Sequence, residues 1–224
     1  MLVIAQKRLR TQVRKEQITQ ATEEIILRFG SENVTIRQIA EEVGISAGAI
    51  YRHFDSKDAI FSFLLKEISE NLLGKVKKGI IVDGRIIDYL HDTFMNQILN
   101  IHRDRAVSFQ IISEVVSFGN KKLNNQLKLI INDYLTCIRN LLVIGVRTGE
   151  IREDIDLDSA AMLFFSMMES VSNYWTINNY QFNLEEKMKP MWNVFRKAIE
   201  STSTENLEGS FKNIKNITKN RVCV

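Results

Sequence analysis

Residues Thr35 to Lys57 read TIRQIAEEVGISAGAIYRHFDSK. Thr35 and Gln38 stand three apart just before apolar Ile39, Ala40 and Val43. That is capping-box spacing: the hydroxyl accepts from a free amide and the glutamine reaches back. A helix of about eight residues is predicted there, closed by Gly44. Ser46 caps again and opens a second short helix through Ala49 and Ile50 to about His53. Asp55-Ser56-Lys57-Asp58 then starts a long amphipathic helix through Ile60, Phe61, Leu64, Leu65, Ile68 and Leu72. Upstream, Thr11 to Phe29 is predicted helical, with Ile18, Ala21, Ile25 and Phe29 on one stripe and Gly30 at its end. Two short capped helices joined by a glycine turn make a helix-turn-helix. Its small core would set Ile39, Val43, Ile45 and Ile50 against Ile25 and Phe29. A core that size needs flanking helices to be stable.

The second short helix leads with Ser46, Ala47, Gly48 and Ala49, almost without side-chain bulk. A helix entering the major groove must bring its N-terminal face close to base edges. A serine hydroxyl can bond a base or a phosphate, and alanine methyls can meet thymine methyls. Tyr51, Arg52 and His53 follow, and tyrosine and histidine donate to phosphate oxygens. The same geometry also serves protein contacts, and Ala-Gly-Ala equally suits close packing within a chain. Spacing alone leaves these readings open.

Beyond the motif, the chain has 224 residues, 45% hydrophobic and 25% charged, with one proline and ten glycines. So few helix breakers in an ordinary globular composition predict an all-α protein. Further helices are expected at roughly 84–101, 104–119, 121–147, 157–179 and 184–202. Asp156 caps the fourth of these, and Pro190 either kinks the last or marks its first turn. The predicted organisation is residues 1–58 for a basic arm and the motif (about 37–56), 59–202 for a larger helical domain, and 203–224 for a basic tail. In that tail Leu207, Phe211, Ile214 and Ile217 recur at helical spacing, so a short helix and disorder both remain open.

Net charge is only +3, and through residue 58 nine bases face eight acids. Global charge therefore does not argue for nucleic acid. The first fifteen residues do so locally, with Lys7, Arg8, Arg10, Arg14 and Lys15 and no acid. Such an arm can track phosphates or enter the minor groove, or simply be solvated. Met1 to Ala5 lacks the charge-then-apolar order of a secretory signal. The apolar run Ala160 to Met168 is far short of the roughly twenty residues that span a bilayer. A cytoplasmic protein with no membrane partner is expected. Cys137 and Cys223 show neither metal-ligand nor disulfide-framework spacing, and read as core filler and a free tail thiol.

No nucleophile–base pair and no glycine-rich phosphate loop is visible. His91 and His102 are eleven residues apart, about three helical turns, too far for one metal. No catalytic residue, metal or cofactor is expected.

The run from Thr35 to Phe54, with Ser56 and Lys57, resembles the signature of TetR-family transcriptional regulators over roughly residues 16–65. Its one departure is the Gly30 to Val34 connector, which lacks the aromatic often found there. The resemblance implies a three-helix DNA-binding domain joined to a larger C-terminal bundle for ligand binding and dimerisation. Thr35 and Arg37 would then meet the backbone or a neighbouring base, and Ser46, Ala47, Gly48 and Ala49 would face base edges. Tyr51, His53 and Lys57 would clamp phosphates, Lys57 aided by a helix N-terminus. It also implies an effector cavity, apolar with a few polar groups. Candidate lining residues are His91, Phe94, Phe109, Ile112, Tyr134, Phe164, Met168, Asn173 and Trp175, with Glu114, Arg139 and Glu169 as further polar groups. A small apolar or amphipathic effector suits them. Dimerisation is implied through the helices near 157–179 and 184–202. Two recognition helices related by a twofold axis read a palindrome that one cannot. The expected function is a ligand-released repressor on double-stranded operator DNA. An activator, a ligand-free nucleoid-type DNA binder and an enzyme or carrier built on the bundle remain as alternatives.

Overall fold

The computed structural model describes residues 2–30, 34–78 and 84–201, without the side chains of 2–10, 75, 77 and 78. In chain order the helices are α1 (Leu2–Phe29), α2 (Ile36–Val43), α3 (Ala47–Ile50), α4 (Lys57–Lys78), α5 (Ile86–Arg103), α6 (Val107–Ser117), α7 (Lys121–Arg147), α8 (Leu157–Ile177) and α9 (Leu184–Ile199). Among the described residues the β pairing is one isolated bridge, Ile151 with Glu200. The all-α expectation holds.

α1 starts at Leu2, not near Thr11. Neither glycine nor proline interrupts residues 2–29, so nothing stops the helix from running back through the basic segment. The basic arm is thus the first turns of α1. The tail from residue 202, with its candidate helix and Cys223, lies outside the described residues. Cys137 is buried on α7, as expected of core filler, but it is not a free thiol.

The chain forms two compact units, Met1–Ile68 with Val107–Lys128, and Ser69–Ala106 with Leu129–Val224. α6 and the start of α7 cluster with the motif helices, not with the C-terminal ones. Phe118 meets Phe61 edge-on at 5.1 Å, Asn120 donates to Asp58 at 2.6 Å, and Gln126 donates to the Ser62 carbonyl at 2.8 Å. In this unit Ile18, Ile25, Ile26, Ile39, Ile50 and Phe61 are each 2% exposed or less. Phe29, expected beside Ile25, is 56% exposed, and Ile26 is buried in the core instead. At 100° per residue the buried stripe of α1 turns past position 29.

The second unit centres on Phe94, Phe164, Trp192 and Phe195, whose ring centroids lie 5.4–6.5 Å apart. Edge-to-face and tilted rings at such distances gain more than their buried area alone. Asp156 caps α8 through Ser159 N at 2.7 Å, as expected, and Asn183 caps α9 through Glu186 N at 3.0 Å. Pro190 falls inside α9, past its first turn.

A corner near the bridge is held by ion pairs. Buried Glu150 accepts from Ile87 N at 3.3 Å and from the Thr148 hydroxyl at 3.1 Å, with Arg85 at 3.8 Å. Glu150 thereby caps α5, where Arg85 makes no side-chain cap of its own. Gly145 leaves room for this corner: an added Cβ would collide with the side chain of buried Ile151 and stand 3.2 Å from Ile86.

α7 is long and apolar enough, by length and composition alone, to cross a membrane. The sequence reading missed this by counting only unbroken apolar runs. Along α7, Leu127, Ile130, Tyr134, Ile138 and Leu141 are buried, whereas Lys128, Asn132, Asp133 and Thr136 are exposed. That alternation is the pattern of a core helix with one wet face.

Candidate nucleic-acid interface

α2 is fixed at both ends by its own sequence. Thr35 Oγ1 accepts from Gln38 N at 3.2 Å and donates to Gln38 Oε1 at 2.8 Å. The glutamine therefore answers the threonine hydroxyl, and not the backbone amide that a full capping box would satisfy. Gly44 takes φ 72° and Ile45 N donates to the Ala40 carbonyl at 2.9 Å, closing a left-handed helix end. An Arg28–Glu42 ion pair at 2.6 Å ties α1 to α2.

Ser46 caps α3, accepting from Ala49 N at 3.2 Å. α3 proper ends at Ile50, and residues 51–53 continue as turns, so the regular helix is shorter than the sequence suggested. Four residues cannot sustain a helix in water. Its cap and the buried side chains of Ile50 and Phe54 hold it. Ser46, Ala47 and Gly48 are exposed and Ala49 is half-buried. A Cβ built on Gly48 would meet nothing nearer than Ser46 Oγ at 3.9 Å. Packing within the chain therefore does not require this turn to be small.

Around that bare turn lie the other candidate residues of the motif. Thr35 and Arg37 are exposed, the Arg37 guanidinium pairing with Glu41 at 2.9 Å. Tyr51 is exposed and His53 half-buried. Lys57 is the first residue of α4, which Ser56 caps through Ala59 N at 3.1 Å. Its ammonium sits 4.5 Å from the Phe118 centroid and 5.5 Å from Phe61, and burial lowers its pKa against the opposing pull of Glu114 and Asp58.

One feature near the motif was not legible in the sequence. Lys15 of α1 lies 5.1 Å from the Phe54 ring and 5.6 Å from Phe63, beside a groove of about 330 Å³ shared with His53, Ser62, Lys66 and Gln126. His53 Nδ1 is buried there without a hydrogen-bond partner among the described residues. Burial first, then Arg14, Arg52 and Lys15, hold the His53 pKa below its usual value. No periodicity in the sequence brings residue 15 beside residue 53.

The candidate effector residues do not all fall together. Phe109 and Ile112, both buried on α6, belong to the first unit with Glu114. In the second unit Phe94, Phe164, Met168, Trp175 and Tyr134 are buried. His91 is partly exposed, pairs with Asp92 at 3.2 Å, and meets Trp192 at 5.3 Å. Asn173 is exposed on α8, Glu169 is half-buried, and Arg139 pairs with Asp158 at 2.9 Å. Among the described residues no cluster of His, Cys, Asp and Glu could hold a metal ion.

Comparison with known proteins places this geometry. Residues 18–63 match the family model of bacterial regulatory proteins of the tetR family, and residues 90–198 match that of the YsiA-like protein C-terminal region. The chain is 23% identical to a fatty acid metabolism regulator protein of Bacillus subtilis over 75% of its own length and 86% of that protein. It is 24% identical to the nucleoid occlusion factor SlmA of Vibrio cholerae, covering 84% and 96%. Among solved structures, the fatty acid degradation regulator FadR of Bacillus halodurans superposes with a TM-score of 0.73 at 19% identity, covering 81% of this chain and 94% of that one. FadR of Bacillus subtilis in complex with stearoyl-CoA gives 0.71 at 21% identity, covering 83% and 99%. The fatty acid proteins among them are named as regulators. The chain belongs to the TetR family of bacterial transcriptional regulators.

Proposed function

We propose that this regulator is a cytoplasmic, homodimeric repressor that reads a palindromic operator with α3 and is released by a fatty-acyl thioester. The carrying observation is the exposed leading turn of α3, where Ser46, Ala47 and Gly48 offer backbone and small groups to solvent and a side chain at Gly48 would meet no close neighbour. Base edges meet that turn. Tyr51, His53 and Lys57 hold the flanking phosphates, and Thr35 and Arg37 reach the backbone beside them. Residues 1–58 carry the DNA contacts, and effector binding and dimerisation fall within 59–202.

Dimerisation uses α8 and α9, near residues 157–179 and 184–202. Met162, Leu163, Tyr174 and Ile177 on α8 and Val194 on α9 are 50–77% exposed, an apolar set that a second copy would cover. The effector enters the apolar interior of the second unit, among Phe94, Phe164, Met168, Trp175 and Tyr134, with His91 at its edge. The thioester is suggested by the fatty acid regulators among the relatives and by the stearoyl-CoA complex of one of them. Only an effector that binds the released form better shifts the equilibrium, and operator DNA must oppose it equally. α4 begins at Lys57 and runs on to Leu72, whose carbonyl accepts from Gln97 of α5 at 3.2 Å. The coupling is proposed to run along α4, whose first residue, Lys57, is one of the proposed phosphate contacts.

The test is fluorescence anisotropy with a labelled duplex from upstream of the chain's own coding sequence. Specific binding released by palmitoyl-CoA is expected. No preference for that duplex over random DNA would refute the operator reading. A second reading, a chromosome-associated factor without a ligand, draws on the likeness to nucleoid occlusion factors. It predicts that acyl-CoA leaves the DNA complex intact.

A further inference from the structure

Tyr134 on α7 is completely buried, and among the described residues its Oη has no hydrogen-bond partner. Its ring meets Phe165 of α8 at 5.8 Å. On its own face of α7 lie Ile130, Cys137 and Ile138, and on the Phe165 face of α8 lie Ala161 and Met168, all buried. Phenylalanine would keep the ring and lack the donor. The hydroxyl carries the desolvation penalty of an unmet buried donor.

We propose that Tyr134 Oη is the donor that recognises the carbonyl oxygen of the acyl thioester, so that it selects the effector's functional group while the apolar walls accept its chain. This rests on the acyl-effector reading and deepens it. Burial pushes the phenol pKa far up, which keeps the proton on the oxygen at every physiological pH. The group is therefore a donor and seeks a neutral or anionic acceptor. The nearest guanidinium described on α7, Arg139, is half-exposed and already paired with Asp158. A carboxylate brought beside buried Tyr134 would carry a far larger desolvation cost than a neutral carbonyl. A thioester or ester carbonyl carries no such cost. The geometry therefore favours the thioester over the free fatty acid.

The experiment compares palmitoyl-CoA with its thioether analogue, S-hexadecyl-CoA, which keeps the chain and the nucleotide but lacks the carbonyl. Both are titrated calorimetrically into the full-length wild type and Tyr134→Phe. The wild type is expected to bind the thioester about tenfold more tightly than the thioether, equal to about 1.4 kcal/mol. Tyr134→Phe should bind both alike, at the thioether affinity. Its ligand-free Tm should stay level or rise, because an unmet hydroxyl has been removed. A preference that survives in the variant overturns the proposal, as does a wild type that binds both equally; the acyl reading stands in either case. A variant that melts several degrees lower also overturns it, because the hydroxyl then has an internal partner. If the wild type binds neither compound, the acyl reading fails and this inference with it.

Discussion

Gly48→Ala separates what the fold needs from what the duplex needs. Gly48 is exposed at the second position of α3, and the nearest atom to an added Cβ is Ser46 Oγ at 3.9 Å, an ordinary contact. The folded protein thus accepts the methyl without strain. The unfolded chain loses glycine's extra freedom, which stabilises the variant by about 0.5–1 kcal/mol. For a chain of this length that raises Tm by about 1–4 °C, the lower end being expected in so short a helix. On the proposed operator the same methyl would stand where base edges approach. Overpacking a close contact costs about 1–3 kcal/mol, a loss of about 5- to 150-fold in operator affinity. Thermal unfolding by circular dichroism and anisotropy on the operator duplex at fixed salt measure the two effects. A lower Tm would mean that the chain itself needs the glycine. A higher Tm with unchanged affinity would mean that the duplex never meets this turn, and the interface assignment fails.

Three further outcomes follow from the same geometry. The His53 pKa is lowered in the folded chain, so the unfolded state binds the extra proton first as pH falls below the ordinary value of 6.5. Stability contributed by neutral His53 is present above that pH and is lost as pH falls toward the depressed folded value; His53→Gln should flatten a melting series between pH 7 and 5. Gly145→Ala should cost about 1–3 kcal/mol, read as a lower denaturant midpoint, because the new methyl collides with buried Ile151; an unchanged midpoint would show that the corner yields. Leu163→Asp with Val194→Asp should give monomers by light scattering and abolish tight operator binding, while circular dichroism stays helical; a persistent dimer would exclude this face.

What could be read from the sequence was whatever chemistry repeats locally. Thr35, Gly44, Ser46 and Asp156 announce helix ends because a cap is made within three or four residues of itself, and each sits where its spacing required. The start of α1 was missed for a related reason: the apolar stripe begins near Ile18, but a helix needs no stripe where no residue breaks it. Phe29 was misassigned because the stripe was extended one step past the point where α1 leaves its neighbours. Contacts made over long sequence separations left no local trace. Asn120 with Asp58, Glu150 with Ile87, and Lys15 over Phe54 join residues 39 or more apart. So α6, which reads as part of the second half of the chain, clusters with the first.

The motif divides its work between two kinds of residue. Ile39, Ala40, Ile50 and Phe54 are buried, and the Thr35 and Ser46 caps contribute about 1 kcal/mol each toward holding short helices in place. Changing any of these alters the fold before it alters recognition. Ala47 and Gly48 are exposed and contribute neither cap nor core, and a Cβ on Gly48 would make only an ordinary contact with Ser46. Substitution at Gly48 meets no close neighbour in the chain, and under the proposed operator reading each new group would meet a different base edge. A scaffold built this way keeps its stability constant as its operator preference changes. The motif's fold is therefore carried by its caps and core, whereas under the proposed operator reading the preferred DNA sequence would be set by the few positions on which the fold makes no demand.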